Sequence, residues 1–224
     1  MNIFDINFIV LTIFNYDLSL VELIGTVFGL ACVYLTAKEK VLCWPVGIVN
    51  IIFFFFLFYQ SQFYSDMYLQ IYFLVMSIYG WWMWTHPVKN NKDKKNELKV
   101  TDLSKKNLII ILSLSAATII INGFLMTKIH IVLPEYFPEP AAYPFGDAFT
   151  SVLSIVATVL LARKKRESWL MWIAVDSVAI VLYFRRGIIL TAILYIIFGI
   201  IATFGYINWT KIMKDYSKEL KKTV

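Results

Sequence analysis

Two tryptophans and one carboxylate stand at helical spacing inside an apolar stretch. Trp169, Trp172 and Asp176 occupy positions i, i+3 and i+7, which stack on one helical face. The two rings could stack on a flat cationic or polar heterocycle that the carboxylate neutralises or hydrogen-bonds. Alternatively, Trp169 belongs to an interfacial aromatic belt and Asp176 pairs with another helix. A charged group at the bilayer centre costs about 2.5–3.5 kcal/mol, so Asp176 should have a function or a partner.

The other candidate ligands lie on separate apolar stretches. Gln70 and Phe73 share one helical stripe, and the Gln70 amide can donate and accept hydrogen bonds at once. An interhelical hydrogen bond is the alternative role for Gln70. Trp44 precedes a proline that should kink its span near the inner end, and Asn50 follows that kink. Tyr183 completes the predicted set of substrate contacts.

The composition defines the class of protein that carries these residues. The chain has 224 residues, of which 59% are hydrophobic and 16% charged. Soluble domains are about 45–50% apolar and about 25% charged, so a soluble enzyme and a disordered chain are both excluded. Seven stretches approach the 20 or so apolar residues that a membrane-spanning helix needs: 19–36, 41–59, 67–84, 107–126, 147–161, 169–184 and 188–209. The sequence therefore predicts an all-α integral membrane protein.

Motifs of enzymes and metal sites are missing from the sequence. Two cysteines exclude a disulfide framework, a zinc ribbon and an iron–sulfur site. There is no Walker loop, no glycine-rich dinucleotide turn and no HExxH sequence. We therefore predict no catalytic residues, no cofactor and no metal. The predicted partners are a small molecule and the lipid bilayer.

The basic residues predict the orientation of the chain. Only Lys128, Arg185 and Arg186, among the 21 Lys and Arg residues, fall on the side that holds the N-terminus. The net charge of +6 thus marks membrane orientation rather than a nucleic-acid partner. The C-terminus should be cytoplasmic and the N-terminus outside. Residues 1–18 are interpreted as a short interfacial helix, with an eighth span as the alternative.

The chain matches itself without gaps over about sixty residues when it is shifted by 125 positions. The matched pairs include Glu22 with Asp147, Trp44 with Trp169, Gly80 with Gly205 and Trp84 with Trp209. Three helices form each repeat, and one linking helix restores the same orientation, which gives two parallel repeats in a 3+1+3 plan. The predicted boundaries are 1–18 N-terminal segment, 19–84 first repeat, 85–106 cytoplasmic basic loop, 107–126 linker helix, 127–146 outer proline-rich loop, 147–210 second repeat and 211–224 cytoplasmic tail.

Several motifs resemble the PnuC-type vitamin transporters, over about residues 19–210. The resemblance is carried by Cys43-Trp44-Pro45-Val46-Gly47-Ile48-Val49-Asn50, Tyr64-Ser65-Asp66-Met67, Tyr79-Gly80-Trp81-Trp82, Asp147-Ala148-Phe149-Thr150 and the Trp169/Trp172/Asp176 motif. It implies a seven-helix core, a homotrimer in the bacterial inner membrane and facilitated diffusion without ion coupling. It also implies that a cytoplasmic kinase traps the imported vitamin by phosphorylation.

The identity of the vitamin stays open at this point. Most members of the family are associated with nicotinamide riboside, a precursor for NAD biosynthesis, and related members carry thiamine or riboflavin. Nicotinamide riboside and thiamine both contain a flat cation that suits Asp176, whereas riboflavin is neutral and larger. We expect nicotinamide riboside, with thiamine as the alternative, riboflavin as a less favoured one and a non-transporting membrane sensor or scaffold as a remote one.

Overall fold

The computed structural model describes residues 3–13, 16–61, 64–86, 98–132, 134–135 and 140–222. The side chains of residues 13, 64–66, 217 and 219–222 lie outside that description. Most of the predicted basic loop (87–97), part of the predicted outer loop (133 and 136–139) and the last two residues of the predicted tail also lie outside the described residues.

Seven helices make up most of the described chain. They are α1 (Leu20–Ala37), α2 (Cys43–Gln60), α3 (Tyr64–Thr85), α4 (Lys105–Val132), α5 (Pro144–Ala162), α6 (Glu167–Arg185) and α7 (Ile189–Lys222). Among the described residues, six of these helices are long and apolar enough to cross a membrane, and α3 is the exception. At about 1.5 Å per residue, the 22 residues of α3 still extend over roughly 33 Å. The structure therefore confirms that the part of the chain predicted to span the membrane is all-helical.

The chain divides into two compact units, Met1–Lys99 and Val100–Val224. In the first unit α1 packs on α2 and α2 on α3. In the second unit α4 packs on α5, α5 on α6 and α6 on α7. The core of the second unit is a buried apolar cluster contributed by α5 and α6: Leu153, Ala157, Leu160, Met171 and Val175.

Local sequence explains where helices α1 and α5 begin. The Ser19 hydroxyl caps α1 by accepting a hydrogen bond from the backbone N–H of Glu22 at 3.3 Å. Pro144 opens α5, where a missing backbone N–H breaks no helical hydrogen bond. The acidic side chains of Glu22 and Asp147 each lie in a first turn, where the helix dipole favours negative charge.

The N-terminal segment is a β-hairpin, so the prediction of a short interfacial helix was wrong. Strand β1 (Ile9–Ile13) pairs antiparallel with strand β2 (Tyr16–Ser19), with an irregularity between Ile9 and Leu11. Four of the five residues of β1 are β-branched, which favours an extended backbone. A helix this short is also unstable in isolation, so strand pairing prevails.

Two helix boundaries change earlier interpretations. Helix α2 begins at Cys43, which places Pro45 in its first turn. No helical hydrogen bond is lost there, so the expected kink does not follow from this proline. Helix α4 continues to Val132, so the first six residues of the predicted outer loop are helical.

The turn between α1 and α2 recurs between α5 and α6 after 125 residues. Glu39 (φ 59°) and Lys164 (φ 50°) both adopt the left-handed backbone conformation. The backbone hydrogen bonds of the two turns also match. Glu39 N donates to Thr36 O at 2.9 Å, and the matching bond from Lys164 N to Leu161 O is also 2.9 Å long. Lys40 N donates to Leu35 O at 2.9 Å, and the matching bond from Lys165 N to Leu160 O is 2.8 Å long. The sequence repeat is therefore also a repeat of local structure.

Candidate functional site

Trp169, the first predicted stacking residue, is enclosed within the second unit. Its side chain is 1% exposed and meets Trp209 edge to face, with ring centroids 5.5 Å apart. A Cβ atom at Gly205 would overlap the Trp169 indole, so only glycine permits this approach of α7. The indole Nε1 of Trp169 has no hydrogen-bond partner within the described part of the chain. In this conformation Trp169 packs α6 against α7.

Trp44 makes the corresponding contact in the first unit. Its ring centroid is 5.3 Å from that of Trp84, and the planes meet at 87°, as they do in the Trp169–Trp209 pair. Gly80 gives Trp44 its space, because a Cβ there would overlap the indole. Trp44 is 5% exposed, so it too lies in a helix interface rather than at an open surface.

Trp172 and Asp176 are the two α6 residues best placed to receive a ligand. Trp172 is half-buried beside the apolar cluster of α5 and α6. Asp176 is 3% exposed, and within the described residues its carboxylate has no hydrogen-bond or ion-pair partner. A Cβ at Gly199 of α7 would lie 3.7 Å from the Cβ of Asp176, so α7 passes close to this carboxylate. A buried and unpartnered carboxylate in an apolar setting is suited to binding a cation.

Tyr183 lies on the same face of α6, further along the helix. Its ring stacks on that of Tyr195 with centroids 5.2 Å apart, and the Arg186 guanidinium lies 5.9 Å from the Tyr183 centroid. Fourteen residues, or about 21 Å of helix, separate Trp169 from Tyr183. A nucleoside-sized ligand at Asp176 can therefore contact either Trp169 or Tyr183, but not both at once.

The predicted ligands of the first unit occupy different environments. The Asn50 Nδ2 atom donates to the Gly25 carbonyl oxygen at 2.7 Å and so links α2 to α1. Its amide oxygen is left as a potential acceptor. Gln70 is half-buried on α3, and its side chain makes no hydrogen bond to the residues that the structure describes. Phe73 is half-buried one turn further, with its ring 5.7 Å from that of Tyr72.

The structure adds two aromatic residues that the sequence analysis did not select. Tyr195 and Phe198 of α7 contact each other edge to face, with ring centroids 6.1 Å apart. Tyr195 also stacks on Tyr183 of α6. They stand 125 positions after Gln70 and Phe73. Applying the repeat to the predicted ligands of the first half would therefore have found their counterparts in the second.

The assembled residues suit binding rather than catalysis. The α6–α7 pair combines a buried carboxylate with the aromatic surfaces of Trp172, Tyr183 and Tyr195. In the described part of the chain, no three His, Cys, Asp or Glu side chains lie close enough to bind a metal ion. Such a stripe can stack on and neutralise a flat cationic solute.

The six apolar spans among the described residues define a multi-pass membrane protein. Comparison with known proteins identifies its family. The chain belongs to the family described as nicotinamide mononucleotide transporter, whose sequence model matches residues 19–211. This confirms the resemblance drawn from the motifs.

Relatives with assigned names span nearly the whole chain. The nicotinamide riboside transporter PnuC of Escherichia coli (strain K12) is 32% identical over 212 residues, which cover 87% of each chain. The riboflavin/roseoflavin transporter RibM of Streptomyces davaonensis is 24% identical over 197 residues, or 88% of this chain and 87% of RibM. A crystal structure of the vitamin B3 transporter PnuC matches with a TM-score of 0.63 at 25% identity, covering 86% of this chain and 81% of that chain.

Proposed function

We propose that the protein takes up nicotinamide riboside by facilitated diffusion across the bacterial inner membrane. The observation that carries the proposal is Asp176, a buried carboxylate without a described partner, one turn from the half-buried ring of Trp172. Nicotinamide riboside presents a flat pyridinium cation, which a carboxylate neutralises and an indole stacks on. The relatives named PnuC support this choice of vitamin.

We further propose that the seven helices form two parallel three-helix repeats, α1–α3 and α5–α7, joined by α4. The matching left-handed turns and the matching tryptophan pairs support this 3+1+3 arrangement. Alternating access to a site near the midplane would then carry the substrate across the membrane.

The orientation follows from the positive charges. We place the C-terminus and the 85–106 loop in the cytoplasm and the N-terminus outside, because eighteen of the 21 Lys and Arg residues then face the cytoplasm. The hairpin then lies at the outer interface, where exposed apolar residues such as Val10 and Leu11 contact lipid.

Each proposed ligand has a distinct role. Asp176 neutralises the cation, Trp172 stacks on it, and Gln70 and the Asn50 amide oxygen form hydrogen bonds. Tyr183 and Phe73 supply aromatic walls for other parts of the substrate. Trp44 and Trp169, named from the sequence as ligands, would need their tryptophan pairs to open before they could stack on a substrate.

Uniport is reversible, so consumption of the solute inside the cell keeps the net flux directed inward. We therefore propose a functional link to a cytoplasmic vitamin kinase, whose phosphorylated product can no longer leave. We also propose a homotrimer as the membrane assembly.

Thiamine is the alternative substrate, because its thiazolium is also a flat cation. Riboflavin is neutral and gives Asp176 no charge to neutralise, although the similarity to RibM keeps it as a candidate. A sensor or scaffold that binds a vitamin without moving it is the remote alternative.

Uptake into proteoliposomes tests these proposals. The purified protein should admit labelled nicotinamide riboside without an ion gradient and should stop at equal concentrations inside and outside. Excess unlabelled nicotinamide riboside, thiamine and riboflavin compared in one competition panel would rank the vitamins. Strict dependence on a sodium or proton gradient would overturn uniport, and binding without flux would favour the sensor.

The variant Asp176→Ala should abolish uptake, while the protein keeps the elution volume and melting temperature of a folded oligomer. Ser177→Ala is a matched control, since Ser177 is exposed on the neighbouring position and its hydroxyl donates to the Ile173 carbonyl oxygen at 2.7 Å within the same helix. Full uptake by the Asp176→Ala protein would remove this carboxylate from the mechanism.

A further inference from the structure

A cavity of about 360 Å³ opens in the second unit where α7 continues beyond its tryptophan pair. Its lining residues come from the segment before α4, the α5–α6 turn and α7: Asp102, Arg166, Thr210, Met213, Lys214 and Lys218. The volume lies within the range of about 300–1,000 Å³ that small-ligand sites occupy. Arg166 lies ten residues, or about 15 Å of helix, before Asp176, so the cavity is separate from the proposed cation site.

Arg166 forms a fixed wall of this cavity. Its Nε atom lies 2.9 Å from Asp102 Oδ1, and its Nη2 atom donates to Asp102 Oδ2 at 3.1 Å. Its Nη1 atom donates to Thr210 Oγ1 at 3.2 Å, and its guanidinium lies 5.2 Å from the ring centroid of Tyr206. Four contacts to three residues, on the segment before α4 and on α7, hold the guanidinium in one position.

The segment that carries Asp102 is also fixed. Thr101 N donates to the Lys164 carbonyl oxygen, and Arg166 N donates to the Thr101 carbonyl oxygen, both at 3.1 Å. Lys165 Nζ donates to Thr101 Oγ1 at 2.7 Å. Leu103 N donates to the Glu167 carboxylate at 2.9 Å, and that carboxylate is buried. The cavity is therefore formed before any ligand arrives.

Positive charge dominates the lining. Three cationic side chains, Arg166, Lys214 and Lys218, face a single carboxylate, Asp102, which Arg166 already engages. Lys214 and Lys218 stand one turn apart on α7, and both are exposed. The Lys218 Nζ atom lies 3.9 Å from Asp215 Oδ1, but an exposed ion pair at this distance contributes little to stability. Both ammonium groups can therefore turn toward an anion in the cavity.

The position along α7 indicates the source of that anion. Trp209 is fully buried and the predicted apolar span ends at this residue, so the cavity lies where the helix leaves the apolar layer. Basic pockets at this depth bind the headgroups of anionic lipids. Met213 adds an apolar side chain to the lining, which the binding of a soluble phosphate does not require. Val41 occupies the position of Arg166 in the first repeat, so this arginine is not repeated in the first half of the chain.

We propose that this cavity binds the phosphate group of an anionic phospholipid in the adjacent leaflet. Lys214 and Lys218 contact the phosphate oxygens, and Arg166 presents the fixed positive wall. The lipid then bridges α7 to the α5–α6 turn, so its binding stabilises the folded second repeat. The proposal does not depend on which vitamin the protein carries.

Thermal unfolding of the full-length protein in detergent tests the proposal. Phosphatidylglycerol at about a hundred times its Kd should raise the melting temperature by roughly 5–10 °C. The same concentration of phosphatidylcholine, of detergent alone or of inorganic phosphate should raise it by less than half as much. An inorganic phosphate effect as large as that of phosphatidylglycerol would overturn the lipid as the ligand and leave soluble phosphate as the occupant.

The double variant Lys214→Gln/Lys218→Gln should lose the response to phosphatidylglycerol, and Lys214→Arg/Lys218→Arg should keep it. Lys105→Gln/Lys106→Gln is the matched control, because it removes two exposed charges that do not line the cavity. An equal response in the parent protein and the Lys214/Lys218 glutamine variant would overturn the proposal. Native mass spectrometry should show retained phosphatidylglycerol in the same set of proteins.

Discussion

The indole of Trp169 meets that of Trp209 edge to face, with the planes at 87°, and the pair at Trp44 and Trp84 repeats this geometry 125 residues earlier. In both cases a glycine on the later helix leaves room for the earlier tryptophan. The same residues at the same offset thus make the same contact. These pairs hold α2 to α3 and α6 to α7 at one end of each helix pair.

Gly205→Ala should lower the free energy of unfolding by about 1–3 kcal/mol, because the added Cβ would overlap the rigid Trp169 indole. The melting temperature of the purified protein measures the loss. Gly199→Ala is the control on the same helix, since its Cβ would make only an ordinary contact, 3.7 Å from the Asp176 Cβ. Equal losses for the two variants would contradict the role of Gly205.

Trp169→Ala and Trp172→Ala should separate packing from ligand binding. Removing the fully enclosed Trp169 ring should destabilise the protein by about 3–5 kcal/mol. Removing the half-buried Trp172 ring should instead weaken binding about thirtyfold, if a desolvated cation–π contact of about 2 kcal/mol is lost. Thermal unfolding and vitamin titration on both variants give the comparison. A Trp172 variant that is unstable but binds normally would show the opposite assignment.

Asp176→Asn should discriminate between charged and neutral vitamins. The amide keeps the shape of the side chain but cannot neutralise a cation, so the affinity for nicotinamide riboside should fall at least thirtyfold, or about 2 kcal/mol. Any affinity for neutral riboflavin should change less than threefold. Quenching of tryptophan fluorescence reports both. Parallel losses for the two vitamins would mean that Asp176 shapes the site rather than supplies its charge.

Asn50→Asp should be more harmful than Asn50→Ser. The aspartate places a second acceptor against the Gly25 carbonyl oxygen, which now accepts from Asn50 Nδ2 at 2.7 Å. The serine variant should cost about 0.6 kcal/mol, the mean for an interhelical hydrogen bond in a membrane. Melting temperatures rank the stabilities, and the KM for uptake shows whether the Asn50 amide oxygen also touches the substrate. An unchanged KM in the serine variant would limit Asn50 to the link between α1 and α2.

Tyr16→Phe should flatten the dependence of stability on pH in the alkaline range. Partial burial, together with the hydrogen bond and negative charge of Glu22 at 2.7 Å, raises the pKa of Tyr16 well above its ordinary value. Folding thus favours the neutral phenol. That stabilisation is complete below about pH 10 and decreases as the pH rises above it. Unfolding at pH 8 and pH 11 in both proteins isolates this tyrosine, and identical pH slopes would contradict the shift.

Most of the helical framework could be predicted because long apolar runs leave few alternatives in a membrane. Hydropathy located all seven helices, and the paired glycines and tryptophans identified the repeat. The hairpin could not be found in this way, because a five-residue apolar run suits a strand and a buried helix equally well. The end of α4 was also missed, since its last two turns contain the polar residues Thr127, Lys128 and His130.

The candidate site was less predictable than the framework. Helical spacing predicted that Trp169, Trp172 and Asp176 share one helical face, and all three lie on α6. Spacing alone cannot tell which member of such a stripe a neighbouring helix covers. The information lay in Gly205, whose missing side chain marks the point where α7 closes over Trp169. A glycine at the repeat offset of another glycine was therefore a packing signal as well as a sign of the repeat.

The left-handed turns at Glu39 and Lys164 show how the chain separates two kinds of information. A residue with a Cβ in this conformation costs about 1–2 kcal/mol, and glycine would avoid that cost. The two turns nevertheless carry side chains of opposite charge on the same backbone, and Lys164 is 5% exposed. The same backbone hydrogen bonds thus close both turns, whichever charge the side chain carries. The backbone of this corner can therefore repeat while the charge that it presents at the membrane boundary differs between the two halves.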